Sequence, residues 1–406
     1  MKGLIKALFL TLFLILLLFF SSNQTNAFSY TSSFQLDQDL TYSQHENWRG
    51  ITTVNLDLNS YLGFDKRFYV NPVLELSLQE NEGTDFDLRL EEAFFDLYLQ
   101  NFDLRAGKQI ISWGSGYQIN PTSQVNPLDY TAENPLEAEI GVESLLVDYH
   151  PSFETSISAV AVLNYRPSKM PEGVMEGAII NSFPQVVAVE TFEPEIDSPG
   201  NAEYALKYTR RNLGAFDLGL SYYRGYADLP AISSEELIRF FTDPPPVTAR
   251  LEYFQKQSLG LDLVGSLGDY GLWIESSYSW NEEDERIREL VLGSDQTLEN
   301  EMYVVLQLYH RSYHRSNENQ ILEEEDQNLL LLYAEQPHLR IHTLSCALLY
   351  DLDLKDYLLN PELKFSLKDD LSMKTGALFS KSSLASNSWL QNMGEERLYL
   401  GLSYYF

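Results

Sequence analysis

Residues 397–406 read Arg397-Leu-Tyr-Leu-Gly-Leu-Ser-Tyr-Tyr-Phe406. Leu398, Leu400, Leu402, Tyr404 and Phe406 fall on one parity, and Arg397, Tyr399, Gly401, Ser403 and Tyr405 on the other. Successive side chains of a strand point to opposite faces. The stretch therefore reads as a strand with one apolar face, closed by an aromatic, and one small or polar face.

The same period recurs along the chain. Phe34, Leu36 and Leu40 alternate with Gln35, Asp37 and Asp39; Leu74, Leu76 and Leu78 with Glu75 and Ser77; Leu218, Leu220 and Tyr222 with Gly219 and Ser221; Leu259, Leu261 and Leu263 with Gly260 and Asp262. The apolar parity switches between Leu90 and Phe95, which predicts a β-bulge near Glu91–Ala93. Pro72 and Pro361 fall within strand readings and are expected at strand ends or bulges. A soluble sandwich would alternate in the same way, so the compartment has to come from elsewhere in the chain.

Lys2 and Lys6 precede an apolar run, Ala7–Phe20, and a small, polar stretch ends at Thr25 and Ala27. This reads as a secretory signal peptide over 1–27. The run is shorter than the roughly 20 residues of a spanning helix. In lipid only helices and closed barrels satisfy their backbone. The expected fold is thus a transmembrane antiparallel β-barrel over 28–406, with 16 to 18 strands. Tight turns are expected at 63–66, 100–101, 150–151, 212–214, 268–269 and 369–370, and long outer loops at 114–140, 166–200, 227–246, 314–328 and 382–395.

Composition narrows the rest. Asp plus Glu number 59 against 28 Lys plus Arg, a net charge of −31, which argues against nucleic acid as a partner. The 26 Tyr, 22 Phe and 5 Trp argue against disorder. The single cysteine, Cys346, excludes an internal disulfide. No Walker loop, Cys-x-x-Cys, His-Glu-x-x-His or dinucleotide fingerprint occurs, and no cofactor or metal site is expected. The tandem Tyr309-His-Arg-Ser312, Tyr313-His-Arg-Ser316 invites a catalytic reading. Yet residues i and i+4 of a strand lie about 13 Å apart, so His310 and His314 cannot share a metal. The tandem reads better as a basic rim near lipopolysaccharide phosphates, and no enzyme is expected.

The segment 105–149 carries the most specific pattern. It contains Gly107-Lys-Gln109, Trp113-Gly114, Gly116-Tyr117, Asn120-Pro121 and Asn126-Pro-Leu-Asp129. Its glycines and Asn-Pro pairs predict an ordered loop between two strands. Arg105 and Gln109 share the parity of Asp103, opposite Phe102 and Leu104, and are placed on the lumen wall.

Two resemblances follow. The C-terminal strand resembles the closing strand of bacterial outer-membrane barrels, which implies that Phe406 is read by the barrel assembly machinery. The pattern built on Gly107, Lys108, Gln109, Trp113, Gly114, Asn120, Pro121, Asn126, Pro127 and Asp129 is similar to that of porin-like barrels in a domain-of-unknown-function group, and distantly of alginate-export-type porins. It implies a passive channel for small hydrophilic solutes, with 114–140 folded inward as a constriction. Trp113 and Tyr117 are track candidates there. Asp129 and Glu133 could face a basic wall at Arg105, tuning the pore toward cations, or simply pair with it. A plugged barrel acting in surface structure or adhesion, and a lipid-modifying enzyme, are the alternatives. A homo-oligomer is compatible with all of them.

Overall fold

A computed structural model describes residues 28–43, 47–79, 83–132, 134–194, 202–242, 246–317, 320–338, 342–381 and 396–405. The expected leader, the loop 382–395 and Phe406 lie outside the described residues.

Eighteen antiparallel strands form one sheet, and its first and last strands pair with each other. In chain order the first seven wall strands are β1 (Phe28–Ser43), β2 (Asn47–Leu62), β3 (Lys66–Gln79), β4 (Gly83–Tyr98), β5 (Phe102–Gln109), β6 (Val142–Ser152) and β7 (Thr155–Val162). An outer insertion follows: α1 (Val174–Ser182) and β8 (Val186–Phe192). The wall resumes with β9 (Glu203–Leu213) and β10 (Phe216–Tyr226). A second insertion holds β11 (Ala231–Ile232), α2 (Ser234–Thr242) and β12 (Val247–Glu252). The remaining wall strands are β13 (Gln255–Leu267), β14 (Tyr270–Asn281), β15 (Glu285–Thr297), β16 (Tyr303–Asn317), β17 (Gln320–His338), β18 (His342–Asp351), β19 (Tyr357–Lys368), β20 (Leu371–Lys381) and β21 (Arg397–Tyr405).

Closure runs from Gln35 opposite Tyr405 to Ser43 opposite Arg397. It removes the unpaired edges that an open sheet would present to lipid. The alternation then sorts the side chains. On β21, Leu398, Leu400 and Leu402 are exposed on the outer face. On β14, Ile274 and Tyr278 face outward, while Trp273, Glu275, Ser277 and Ser279 are buried inside. The expected bulge is present: Asn71 pairs with Glu92 and Pro72 with Leu90, so Glu91 is the extra residue and Pro72 sits beside it. Pro361 interrupts the β19–β20 ladder, whose pairing stops at Leu359 and resumes at Glu362.

The tight turns expected from sequence gather at one end, the periplasmic end of such a barrel, except that the one expected at 150–151 falls at 153–154, because His150 and Pro151 still belong to β6. One of the expected long loops is corrected. Most of 314–328 is not a loop but the outer halves of β16 and β17, which pair up to Asn317 opposite Gln320 with a register shift after Arg315. The polar run Glu323–Asp326 belongs to a strand that projects past the bilayer, because β17 has 19 residues and a membrane crossing needs about 9 to 11.

The projecting hairpin supports a small outer cap. β12 pairs in parallel with β8 and antiparallel with β11. Ile179, Val186, Phe240, Val247, Ala249 and Leu251 make its core. Arg315 on β16 fixes the cap to the wall. Its guanidinium donates to the Ile232 carbonyl at 2.7 Å and to Ser234 Oγ and Glu283 Oε2 at 3.2 Å each, and lies 3.5 Å from Glu285. The side chain is almost fully buried, so this arginine of the basic tandem is spent inside the chain. His310 is likewise engaged, with Asn328 at 2.9 Å.

Removing one partner of a buried ion pair costs about 3–5 kcal/mol. Arg315→Met should therefore free the cap while leaving the barrel closed. Limited proteolysis should cut within 163–202 and 227–254 at rates at least tenfold above the parent, with heat-modifiable migration on gels preserved.

Candidate functional site: a loop across the lumen

The connection from β5 to β6, residues 110–141, does not stand above the barrel. It enters the lumen and reaches the far wall. Going round the sheet from β5, the neighbours are β6, β7, β9, β10, β13, β14, β15 and β16. The loop binds β14 and β16, the latter almost opposite its origin.

Its base is knitted by Asn126. The Asn126 carboxamide accepts from the Ile111 amide at 2.7 Å and donates to the carbonyls of Ile140 at 2.8 Å and Gln109 at 3.2 Å. One side chain thus ties the two limbs of the loop together where the backbone cannot pair with itself. Pro127 offers its carbonyl to Ile140 at 2.7 Å. Glu139 accepts from Ser123 at 2.9 Å and from Ser112. Ile111 and Val125 pack with Val142, Val160 and Val162 of the wall, and Trp113 covers them.

The tip is held by two side chains on the opposite strands. The Glu275 carboxylate, fully buried on β14, accepts from the amides of Ser115 and Gly116, the latter at 2.5 Å. It also accepts from the Thr122 hydroxyl at 3.0 Å and the Thr122 amide at 3.4 Å. Removing a carboxylate from water is costly unless its lone pairs are filled, and charge-assisted bonds of this kind are the strong ones. The two glycines follow from that geometry. A Cβ on Gly114, which has φ +105°, would stand 2.7 Å from a Glu275 oxygen. A Cβ on Gly116 would stand 2.3 Å from the Ile119 carbonyl. Gln307 on β16 pairs with Tyr117 as a strand neighbour would. Its carbonyl accepts the Tyr117 amide at 2.8 Å and its amide donates to the Tyr117 carbonyl at 2.9 Å. Trp273 Nε1 donates to the same Gln307 oxygen at 2.7 Å and fixes its orientation.

The residues singled out from sequence fall in three groups. Gly114, Tyr117, Asn126 and Pro127 are built into this anchoring, as is Gln109 at its root. Asn120 and Pro121 form the turn at the tip, with their carbonyls accepting from Ser123 N at 3.0 Å and Gln124 Nε2 at 2.7 Å. Tyr117 packs on Tyr333 at 5.4 Å between ring centres, and burial, with Glu137 and Glu335 nearby, pushes its phenol up to about 12.

A second group serves the wall. Arg105 faces the lumen as expected, but its partner is Asp96 on β4, at 2.6 and 3.2 Å, and it stacks on Phe94. It pairs with no loop carboxylate among the described residues. Gly107 lies where a Cβ would meet the Ala93 carbonyl at 2.2 Å, and Lys108 reaches the Leu90 carbonyl at the bulge. The third group faces the outer insertions. Asp129 lies 3.3 Å from Lys169 rather than opposite Arg105. Glu133 lies outside the described residues. Among the described residues no cluster of His, Cys, Asp or Glu could hold a metal ion.

Glu275 and Gln307 were not foreseen. Parity puts both inside: Glu275 follows the outward Ile274, and Gln307 lies between Leu306 and Leu308. That signal marks a special lumen residue, yet nothing in the spacing says that its partner lies some 160 or 190 residues earlier.

A model of a family described as proteins of unknown function, DUF1302, matches residues 18–322, and the chain belongs to that family. No curated protein matches it. Among solved structures it is similar to OccK2 (OpdF) of Pseudomonas aeruginosa in complex with glucuronate, at 11% identity and TM-score 0.55 over 93% of this chain and 96% of that one. OccAB3 of Acinetobacter baumannii is similar at 11% identity and TM-score 0.54, over 94% and 100%. OccD3 (OpdP) of Pseudomonas aeruginosa is similar at 10% identity and TM-score 0.52, over 93% and 91%. The likeness is one of fold: a closed barrel of eighteen antiparallel strands.

Hydrogen bonds to a charged group are worth about 1.5–3 kcal/mol each. Glu275→Ala should raise amide exchange at Ser115 and Gly116 ten- to a hundredfold, read by hydrogen–deuterium exchange, while exchange in β1–β4 stays unchanged.

Proposed function

We propose that this member of the DUF1302 family is a diffusion channel in which the loop 110–141 is the constriction, admitting small hydrophilic solutes. The observation that carries the reading is the anchoring of the loop tip to Glu275 and Gln307 on the far wall. A loop fixed at both ends across a closed barrel divides its cross-section and sets the width of what remains. A wall built only for stability would not need a buried carboxylate and amide aimed at a loop.

The charge preference we propose is a lean toward cations. Of the lumen arginines and lysines, Arg105 and Arg67 share Asp96, Arg89 is surrounded by Glu75, Asp87 and Glu91, and Lys374 sits 3.2 Å from Asp39. Positive charge in the lumen is thus largely compensated by neighbours. Asp37 and Asp57 are met by neutral donors, Gln35 for the first and Tyr69, Asn71 and Ser33 for the second. Such rings of side-chain charge set ion preference in a narrow pore. A structural neighbour was solved with glucuronate, so sugar acids belong beside neutral sugars and organic cations in a permeation panel.

The test is single-channel conductance of the refolded barrel in a planar bilayer under a salt gradient. Discrete steps with a cation-leaning reversal potential are expected. The double variant Glu275→Ala/Gln307→Ala should raise unit conductance roughly twofold or more, because the tip is no longer held in the lumen. Asp37→Asn/Asp57→Asn should move the reversal potential toward zero. A folded barrel that passes no current would overturn the channel, and unchanged conductance in the double variant would remove the loop as its constriction.

A further inference from the structure

Three adjacent wall strands break the apolar-out, polar-in rule. β17 carries Leu329-Leu-Leu-Leu332, β18 carries Leu348-Leu349 and β19 carries Leu358-Leu359. One leucine of each neighbouring pair faces lipid, as Leu332 does. The other faces the lumen. Leu331 stands opposite Leu349, and Leu349 opposite Leu358, so the inward leucines form a continuous row. Leu378 on β20 extends the patch.

Part of this patch seats the loop, through Tyr117, Ile119 and Leu136. The rest is not filled. Between the loop and strands β17–β21 lies a cavity of about 230 Å³. It is lined by Leu331, Leu349, Leu358 and Leu378 and by the polar groups of Arg397, Tyr399, Asn360, Glu362 and Lys374, with Gln118 from the loop. The Tyr399 hydroxyl donates toward Asn360 Oδ1 at 2.9 Å and Glu362 at 3.0 Å, so its proton is committed to the wall. Leu331, Leu349 and Leu378 are buried, and Leu358 is the half-buried member of the floor that a guest would meet. A patch of leucine facing a cationic and phenolic edge suits a molecule with the same division.

We propose that this cavity is a solute-binding subsite for small alkyl amphiphiles, with a short chain on the leucine floor and a head carrying acceptor oxygens at Arg397. The volume is below the roughly 300–1,000 Å³ of pockets that hold drug-sized ligands, so a chain of a few carbons with a compact head is the size that fits. The head can be a neutral polyol or an anion, since both offer acceptor oxygens to a guanidinium. The inference rests on the channel reading and refines what passes.

The experiment uses the full refolded chain in a planar bilayer, with glucose, hexyl β-glucoside and hexanoate as probes and a protein-free bilayer as control. Hexyl glucoside and hexanoate should interrupt the current for dwell times at least tenfold longer than glucose does. Leu358→Thr, a mild change on a half-buried residue, should abolish that difference while conductance persists. Leu349→Ser serves as a second floor variant where it folds by heat-modifiable migration. Arg397→Gln should shorten hexanoate dwell times more than those of hexyl glucoside, and equal loss would assign the head to a neutral polyol. Equal dwell times for glucose and the alkyl probes in a conducting channel would overturn the subsite and leave the channel standing. If no current flows, the channel reading fails. Equilibrium dialysis of hexyl glucoside against the folded barrel in detergent then decides the subsite: saturable binding lost in Leu358→Thr upholds it, and its absence overturns it.

Discussion

The burial of one carboxylate governs the interior of this barrel. Glu275 sits on a wall strand with no exposure, and four donors from a single loop stretch surround it. A charge taken from water must be met in full or it destabilises the fold. The wall can therefore be stable only with the loop in place, and the loop can reach the wall only with glycine at 114 and 116. Each side imposes a condition on the other. That mutual dependence turns a 32-residue connection, which could have lain over the rim, into an internal partition.

Two kinds of contact share this work. The inward leucines and Trp273 supply adhesion over an area, which is non-directional. Glu275 and Gln307 supply position, because a bidentate amide pair and a filled carboxylate tolerate little displacement. The base adds a third device. Asn126 replaces a missing backbone ladder, so both limbs leave the wall in a fixed relation.

The barrel was legible in the sequence because period-2 alternation is local and repeats in nearly every strand. The bulge at Glu91 was legible for the same reason: an extra residue flips a parity that can be read off Leu90 and Phe95. The outer half of β17 was not, since Glu323–Asp326 has no apolar parity to read once the strand leaves the bilayer. The loop's order was visible in its Asn-Pro pairs and glycines, and its root in Gln109. Its destination was not visible. Partners 160 residues apart leave no trace in spacing, and the electrostatic pairing expected between Arg105 and the loop was pre-empted by Asp96 on the adjacent strand. Arg315 shows the same limit, for a charge in a basic tandem reads as a solvated rim until the cap that buries it is seen.

The three insertions after β5, β7 and β10 are consecutive outer connections, and their placement is coupled. Asp129 of the first touches Lys169 of the second, and Ser168 of the second bonds to Asp228 of the third. The second and third then fold together as the cap, which Arg315 ties to β16, a strand that also carries Gln307. The loop in the lumen is thus held from below by the wall and from above by the cap, through one strand common to both. Its leucine-floored side lies away from that support, along β17–β21, where the loop packs through Tyr117 and Leu136. The part of the lumen best able to adapt to a guest is therefore the part whose chemistry is divided between leucine and arginine.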